Sequence, residues 1–293
     1  MREILLEALE SIYLRPIEII NSRPAGGGSI NLAEVLTLSN QEKVFLKTNA
    51  HPPEGFFRAE ARGLGLLRQA KGGPGIPQVL GLEPGPGQKF ILLEYIEHSP
   101  PAKEFAVRFA QALAHLHRLT GDSHGLGHDN FIGLTVQKNT PDKNGLKFFR
   151  DRRIRFQQEL ARTSGKLPVP LDKRIDTLCG KLETLLDTEG EKPVLVHGDL
   201  WSGNYFQAQS DQRPCIFDPA VYYGFRESDL AMTQLFGNLP DSFYRAYHEA
   251  FPLNPGYAER RDIYNLYHLL NHLNLFGGSY LSSVESIVNH YTC

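Results

Sequence analysis

Residues 197–204 read His197-Gly198-Asp199-Leu200-Trp201-Ser202-Gly203-Asn204, and the reading of the whole chain turns on them. Val194, Leu195 and Val196 precede them as a short apolar run rich in β-branched residues, which predicts a buried strand. Gly198 and Gly203 then break any regular element, so the polar side chains fall on a loop. Four residues separate Asp199 from Asn204. Fourteen residues after Asn204, the apolar run Cys215-Ile216-Phe217 leads into Asp218-Pro219. The ordered set is therefore a carboxylate, an amide and a second carboxylate, each following an apolar run.

That spacing is the one phosphoryl-transfer enzymes of the kinase type use. There, the first Asp accepts the proton of a substrate hydroxyl, and an Asn and a second Asp hold Mg²⁺. On this reading Asp199 is the catalytic base, and Asn204 and Asp218 are the metal ligands. His197 is expected to support the loop rather than act as a base.

The same stretch carries a closer likeness. The run from His197 to Asn204, then Asp218-Pro-Ala-Val-Tyr-Tyr-Gly224, then Arg226-Glu-Ser-Asp-Leu-Ala-Met-Thr233, resembles the fructosamine kinase (ketosamine-3-kinase) family. The pairs Trp201-Ser202 and Tyr222-Tyr223 separate it from other small-molecule kinases. Upstream, Asp129-Asn-Phe-Ile-Gly133 resembles the family's Asp-Asn-x-Ile-Gly segment. The resemblance implies a protein-kinase-like α+β fold of two lobes, with the active site in the cleft between them. It also implies ATP and Mg²⁺ as cofactors. The acceptor would be the 3-hydroxyl of a ketosamine, a sugar joined to an amine by glycation, whose phosphorylation leads to deglycation. Trp201, Tyr222, Tyr223, Asp129 and Asn130 are the substrate-side candidates.

Composition agrees with a globular enzyme. The chain has 293 residues, 41% hydrophobic and 22% charged, enough for two lobes with a substantial core. A net charge of −2 argues against a nucleic-acid or anionic-membrane partner. Three acids in the first ten residues interrupt any secretory h-region, and no apolar run nears the ~20 residues that span a bilayer. Cys179, Cys215 and Cys293 are odd in number and far apart, which suits free thiols in a reducing cytoplasm.

Before the central motif the pattern predicts an ATP-binding lobe over 1–97. An amphipathic helix opens it, and a strand follows over Arg15–Ile20. A glycine-rich turn, Pro24 to Asn31, leads into a strand over Leu32–Leu38. Gly26, Gly27, Gly28 and Ser29 could lay backbone N–H groups over phosphates, or form an ordinary hairpin. Lys43 to Thr48 alternates as a third strand, which puts Lys47 where a kinase keeps its phosphate-binding Lys. The helix expected over Glu54–Gln69 offers Glu60 to orient Lys47, with Glu54 as competitor. A hairpin over residues 79–95 ends at Glu94, Tyr95 and Ile96, a candidate hinge for adenine.

Residues 98–293 read as a mainly helical lobe. His115 and His117 lie two apart, off a common helix face, and are expected to pack or lie at the surface rather than ligate a metal. The arginines between 150 and 155 are expected to be structural or at the surface rather than a nucleic-acid patch, because Asp151 and Glu159 interleave. A single helix is expected over Leu171–Asp187. Asp229 is either a brace for the catalytic loop or a plain helix N-terminal acid. The last helices hold only Glu259, Asp262 and Glu285 as acids, too few to line a pocket for a polycation, and the sequence ends without an acidic tail. That disfavours an aminoglycoside- or choline-type kinase. A pseudokinase is disfavoured because Lys47, Asp199, Asn204 and Asp218 are all present.

Overall fold

The computed structural model describes residues 2–26, 30–85, 87–237 and 239–292. Helix α1 (Arg2–Tyr13) is followed by five antiparallel strands: β1 (Ile19–Pro24), β2 (Leu32–Leu38), β3 (Lys43–Thr48), β4 (Val79–Leu82) and β5 (Phe90–Glu94). Their order in the sheet is β1-β2-β3-β5-β4. Strand alternation sorts β3 by face. Val44 and Leu46 join Leu5 and Leu9 of α1 in one core, and Phe45 packs on the opposite side. Lys47 therefore emerges on the side away from α1, towards α2 (Phe56–Leu67).

The first strand starts later than the apolar pattern predicts. Ile17 is a buried anchor, Pro16 has no N–H for a ladder, and pairing begins at Ile19 opposite Leu38. The paired residues Asn21, Ser22 and Arg23 are exposed on an edge strand, so they carry no apolar signal.

The chain then turns helical. β6 (His98–Ser99) leads to α3 (Phe105–Leu116), the hairpin β7 (Asn130–Ile132) and β8 (Thr135–Gln137), and α4 (Gly145–Phe148). A π-helical turn over Phe149–Ile154 precedes α5 (Arg155–Thr163). The helix expected over 171–187 is two, α6 (Val169–Gly180) and α7 (Leu182–Leu185), broken beside Gly180, a poor helix former. Next come β9 (Val194–Val196), β10 (Tyr205–Ala208), β11 (Pro214–Ile216) and β12 (Tyr222–Gly224). The chain closes with α8 (Glu227–Leu235), α9 (Asp241–Ala250), α10 (Tyr257–Phe276), a 3₁₀ turn over Gly278–Tyr280 and α11 (Leu281–Thr292).

One core joins α2, α3 and α9, and a second joins α5, α6, α10 and α11. Arg153 is fully buried. Its guanidinium lies 3.9 Å from the Tyr222 ring centre and donates to the carbonyl of Lys138 and to Asn139 Oδ1. Cys179 and Cys215 are buried free thiols. Among the described residues no helix is long and apolar enough to cross a membrane.

Candidate active site

The short strands β9 and β12 pair, Val196 opposite Tyr222, and the 197–204 loop leaves the end of β9. Gly198 has φ +82°, and a Cβ there would collide with the carbonyl of Ala220. Only glycine serves at this position. Asp229, on the first turn of α8, accepts hydrogen bonds from the backbone N–H of His197 (2.7 Å) and Gly198 (2.9 Å). His117 Nε2 lies 3.2 Å from the same carboxylate, and its Nδ1 lies 2.7 Å from Tyr247 Oη. Burial would raise the Asp229 pKa, but His117 and the loop N–H groups outweigh it and hold it below the ordinary range. Asp229 is thus an ionised brace. His117 belongs to this assembly too, although its spacing from His115 suggested only packing.

His197 is neutral, because burial lowers its pKa. Its Nε2 donates to the carbonyl of Phe217 (2.9 Å) and its Nδ1 accepts from Asp199 N–H (3.3 Å), so it ties the loop to the segment bearing Asp218. Asn204 donates through Nδ2 to the carbonyl of Asp199 (2.8 Å), and its Oδ1 has no protein partner among the described residues. Asp218 sits in the left-handed region at φ +60°, which Asp tolerates better than most residues, and its carboxylate is partly exposed. Such a conformation held next to reactive groups is common in functional sites.

Lys47 Nζ is 2.7 Å from Glu60 Oε1 and also pairs with Asp218. Burial alone would lower the Lys47 pKa, but the two carboxylates hold it above its ordinary value. Glu60, not Glu54, is therefore the partner of Lys47. Among the described residues Asp199 has no cationic side chain in salt-bridge contact. Burial and the charges of Asp218 and Asp229 push its pKa up to about 7, against a weaker pull from Asn204.

These groups share one cleft of about 400 Å³, lined by Gly26, Lys47, Glu60, Asp199, Asn204 and Asp218. A second cavity of about 330 Å³ adjoins it, with Gly26, Phe45, Gly203 and Phe217 common to both, and Glu94, Tyr95 and Ile96 on its wall. The N–H of Glu94 is committed to the carbonyl of Gln78. Among the described residues the N–H groups of Tyr95 and Ile96 have no partner, so the donors for a base lie there. Gly27, Gly28 and Ser29 lie outside the described residues.

The far end of the cleft corrects the substrate-side expectations. Trp201 lines it, folded over Gly203, where a Cβ would strike the indole. Ser202 donates through Oγ to the carbonyl of Phe236 (2.6 Å) and so fixes the loop beside that aromatic residue. Tyr222 does not line the cleft. It is buried in β12 under Arg153. Nor does Tyr223, whose ring covers Gly121. Asp129 is also elsewhere, bonded to Lys138 Nζ (2.8 Å) and to Asn139 N–H (2.9 Å). Asn130 does line the cleft, but its side chain is spent on Val221, Gln137 and Asn139. The residues the sequence reading missed are Phe236, Asn271, His272, Leu275, Phe276 and Tyr280. Four of them recur as 271, 272, 275 and 276 on α10, a helical stripe that reads as core.

A model of the fructosamine kinase family matches residues 1–292. A probable ketoamine kinase of Vibrio parahaemolyticus is 36% identical over 291 residues, covering 99% of this chain and 98% of its own. A chloroplastic protein-ribulosamine 3-kinase of Arabidopsis thaliana is 37% identical, covering 91% of this chain and 81% of its own. Among solved structures, a protein of Haemophilus somnus described as a fructosamine-3-kinase superposes with a TM-score of 0.88 at 30% identity, over 100% of this chain and 98% of that one. With the loop, the Lys47–Glu60 pair and the aromatic cleft in the same chain, these likenesses show that the protein belongs to the fructosamine kinase family.

Proposed function

We propose that this chain is an ATP-dependent kinase that phosphorylates the 3-hydroxyl of ketosamines such as fructosamines or ribulosamines and so starts their deglycation, with an ATP-binding lobe over 1–97 and a helical acceptor lobe over 98–293. The observation that carries this reading is the cleft itself. One end gathers Lys47, Asp199, Asn204 and Asp218, and the other presents aromatic rings to a small acceptor. Among the described residues its acids are Glu60, Asp199 and Asp218, all at the phosphate end. A polycationic aminoglycoside would find no carboxylate lining at the acceptor end. The free thiols suit a cytoplasmic enzyme.

Asp199 orients the acceptor hydroxyl and takes its proton as the oxygen bonds to the γ-phosphorus of ATP. The bond to the β,γ-bridging oxygen breaks and ADP leaves. Lys47, held by Glu60, grips the phosphates that are not transferred. Positioning and charge supply most of the rate. The residues present fit Mg²⁺: Asn204 Oδ1 has no partner among the described residues, Asp218 offers a partly exposed carboxylate, and one or two hard oxygens beside substrate phosphates are what Mg²⁺ takes from a protein. Bound there, the ion would neutralise charge on the triphosphate.

ATP consumption across a panel tests the reading. Fructoselysine or ribuloselysine should be phosphorylated, and kanamycin and choline should not. Trp201→Ala should raise the KM for the ketosamine by about tenfold or more while the KM for ATP barely moves, because a sugar face loses its aromatic partner. Turnover of kanamycin with none of any ketosamine would defeat the assignment.

Asp218→Ala should weaken Mg·ATP binding and turnover together, by more than the roughly 10–100-fold that loss of an outer-sphere partner costs a metal site. Binding of adenosine, which has no phosphates, should stay the same. Calorimetric titration with Mg·ATP and with adenosine separates the two. An equal loss for both ligands would place Asp218 in the base pocket rather than at the metal.

A further inference from the structure

His272 is a polar side chain at the acceptor end that the reaction above leaves unused. It lies near the end of α10 with ring-centre distances of 4.7 Å to Phe236, 5.1 Å to Tyr280 and 5.5 Å to Phe276. Its Nδ1 is 2.8 Å from the backbone carbonyl of His268, one turn earlier. A carbonyl only accepts, so the ring proton sits on Nδ1. Burial lowers the pKa of His272 against a weaker opposing pull from that hydrogen bond, which favours the neutral ring. Nε2 is then a bare acceptor. Among the described residues it has no protein partner and is not fully buried, and His272 is one of the residues that line the cleft.

Aromatic faces attract a cation, and a neutral imidazole nitrogen accepts one hydrogen bond. Together they match an ammonium that still carries an N–H. With no carboxylate at this end among the described residues, charge alone cannot select the ligand; the donor must. We propose that His272 is a specificity-determining residue, accepting through Nε2 a hydrogen bond from the ammonium N–H of the ketosamine while Phe236, Phe276 and Tyr280 face its charge. The inference rests on the ketosamine reading and names which part of that substrate the α10 end recognises.

Three fructose derivatives test it, each with a propyl substituent at C1: the secondary amine, its N,N-dimethyl quaternary salt and the propyl ether. The quaternary salt keeps the charge without an N–H donor, and the ether has neither. For the wild-type protein kcat/KM should favour the amine over the quaternary salt by about 10–100-fold, the scale of one hydrogen bond to a charged group. His272→Phe should bring the amine down to the level of the salt and leave the KM for ATP unchanged. Equal use of amine and salt by the wild type overturns the proposal, and this comparison needs no variant to fold. A His272→Phe protein that loses all three ligands alike also overturns it, because His272 would then hold a sugar hydroxyl. Turnover of none of the three by the wild type would defeat the ketosamine reading itself, a distinct result.

Discussion

Asp199→Asn should lower kcat by about 10²–10⁴-fold, the usual contribution of a general base, with Mg·ATP binding largely retained. The amide keeps the shape and the neighbouring loop bonds but cannot take the hydroxyl proton. A second signature separates loss of a base from loss of structure. The Asp199 carboxyl is held near pKa 7 by burial and by Asp218 and Asp229. A raised acid pKa in the folded state means that the unfolded chain ionises first. Stability is then lost as pH rises from the ordinary carboxyl range to about 7, and the full loss persists above it. Asn cannot ionise, so the variant escapes that loss. In EDTA at pH 8, without nucleotide, Asp199→Asn should melt at or above the wild-type temperature while its turnover collapses. Near-normal turnover on the best acceptor, or a clear fall in melting temperature, would count against Asp199 as the base.

The parts of the fold that were legible in sequence are those where local chemistry decides the outcome. Alternation over Lys43–Thr48 fixed the face on which Lys47 emerges, and the observed strand has the same bounds. The glycines at 198 and 203 marked a loop because backbone geometry admits little else at Gly198. Failures came where tertiary pairing decides. Tyr222 and Tyr223 lie close to Asp218 in sequence, so they looked like cleft residues. Pairing of β12 with β9 instead turns one under Arg153 and the other over Gly121. The acceptor wall came from the opposite error. Leu275 and Phe276 sit on a 20-residue helix whose apolar pattern reads as packing, and only the approach of the α10 end to the 197–204 loop makes them a cleft. Apart from Trp201, sequence proximity pointed to aromatics outside the cleft, and helical periodicity hid residues that line it.

Asp229 supplies the second large effect, and its sign on stability is the reverse of that for Asp199. Both are buried acids near the same loop, but Asp229 is surrounded by donors and Asp199 by charges like its own. Asp229→Ala leaves the N–H of His197, the N–H of Gly198 and His117 Nε2 without their shared acceptor in a site with little access to water. Each buried donor left unpartnered costs about 1–3 kcal/mol, and three are left here. The melting temperature should fall by about 5–10 °C, as expected for a loss of several kcal/mol in a chain of 293 residues. Asp229→Asn should rescue little, because its amide has one acceptor oxygen for three donors and its NH₂ must face one of them. The consequence reaches catalysis because Asp199 follows Gly198 directly. Once both loop N–H groups are released, the base loses its position, and a displacement of ~1 Å can cost about 10²-fold in rate. Melting curves and kcat for the Ala and Asn variants check this together. An Asn variant with wild-type stability and turnover would show that the Asp229 carboxylate does not brace the loop, and the even choice left by the sequence would fall to the plain helix N-terminal acid.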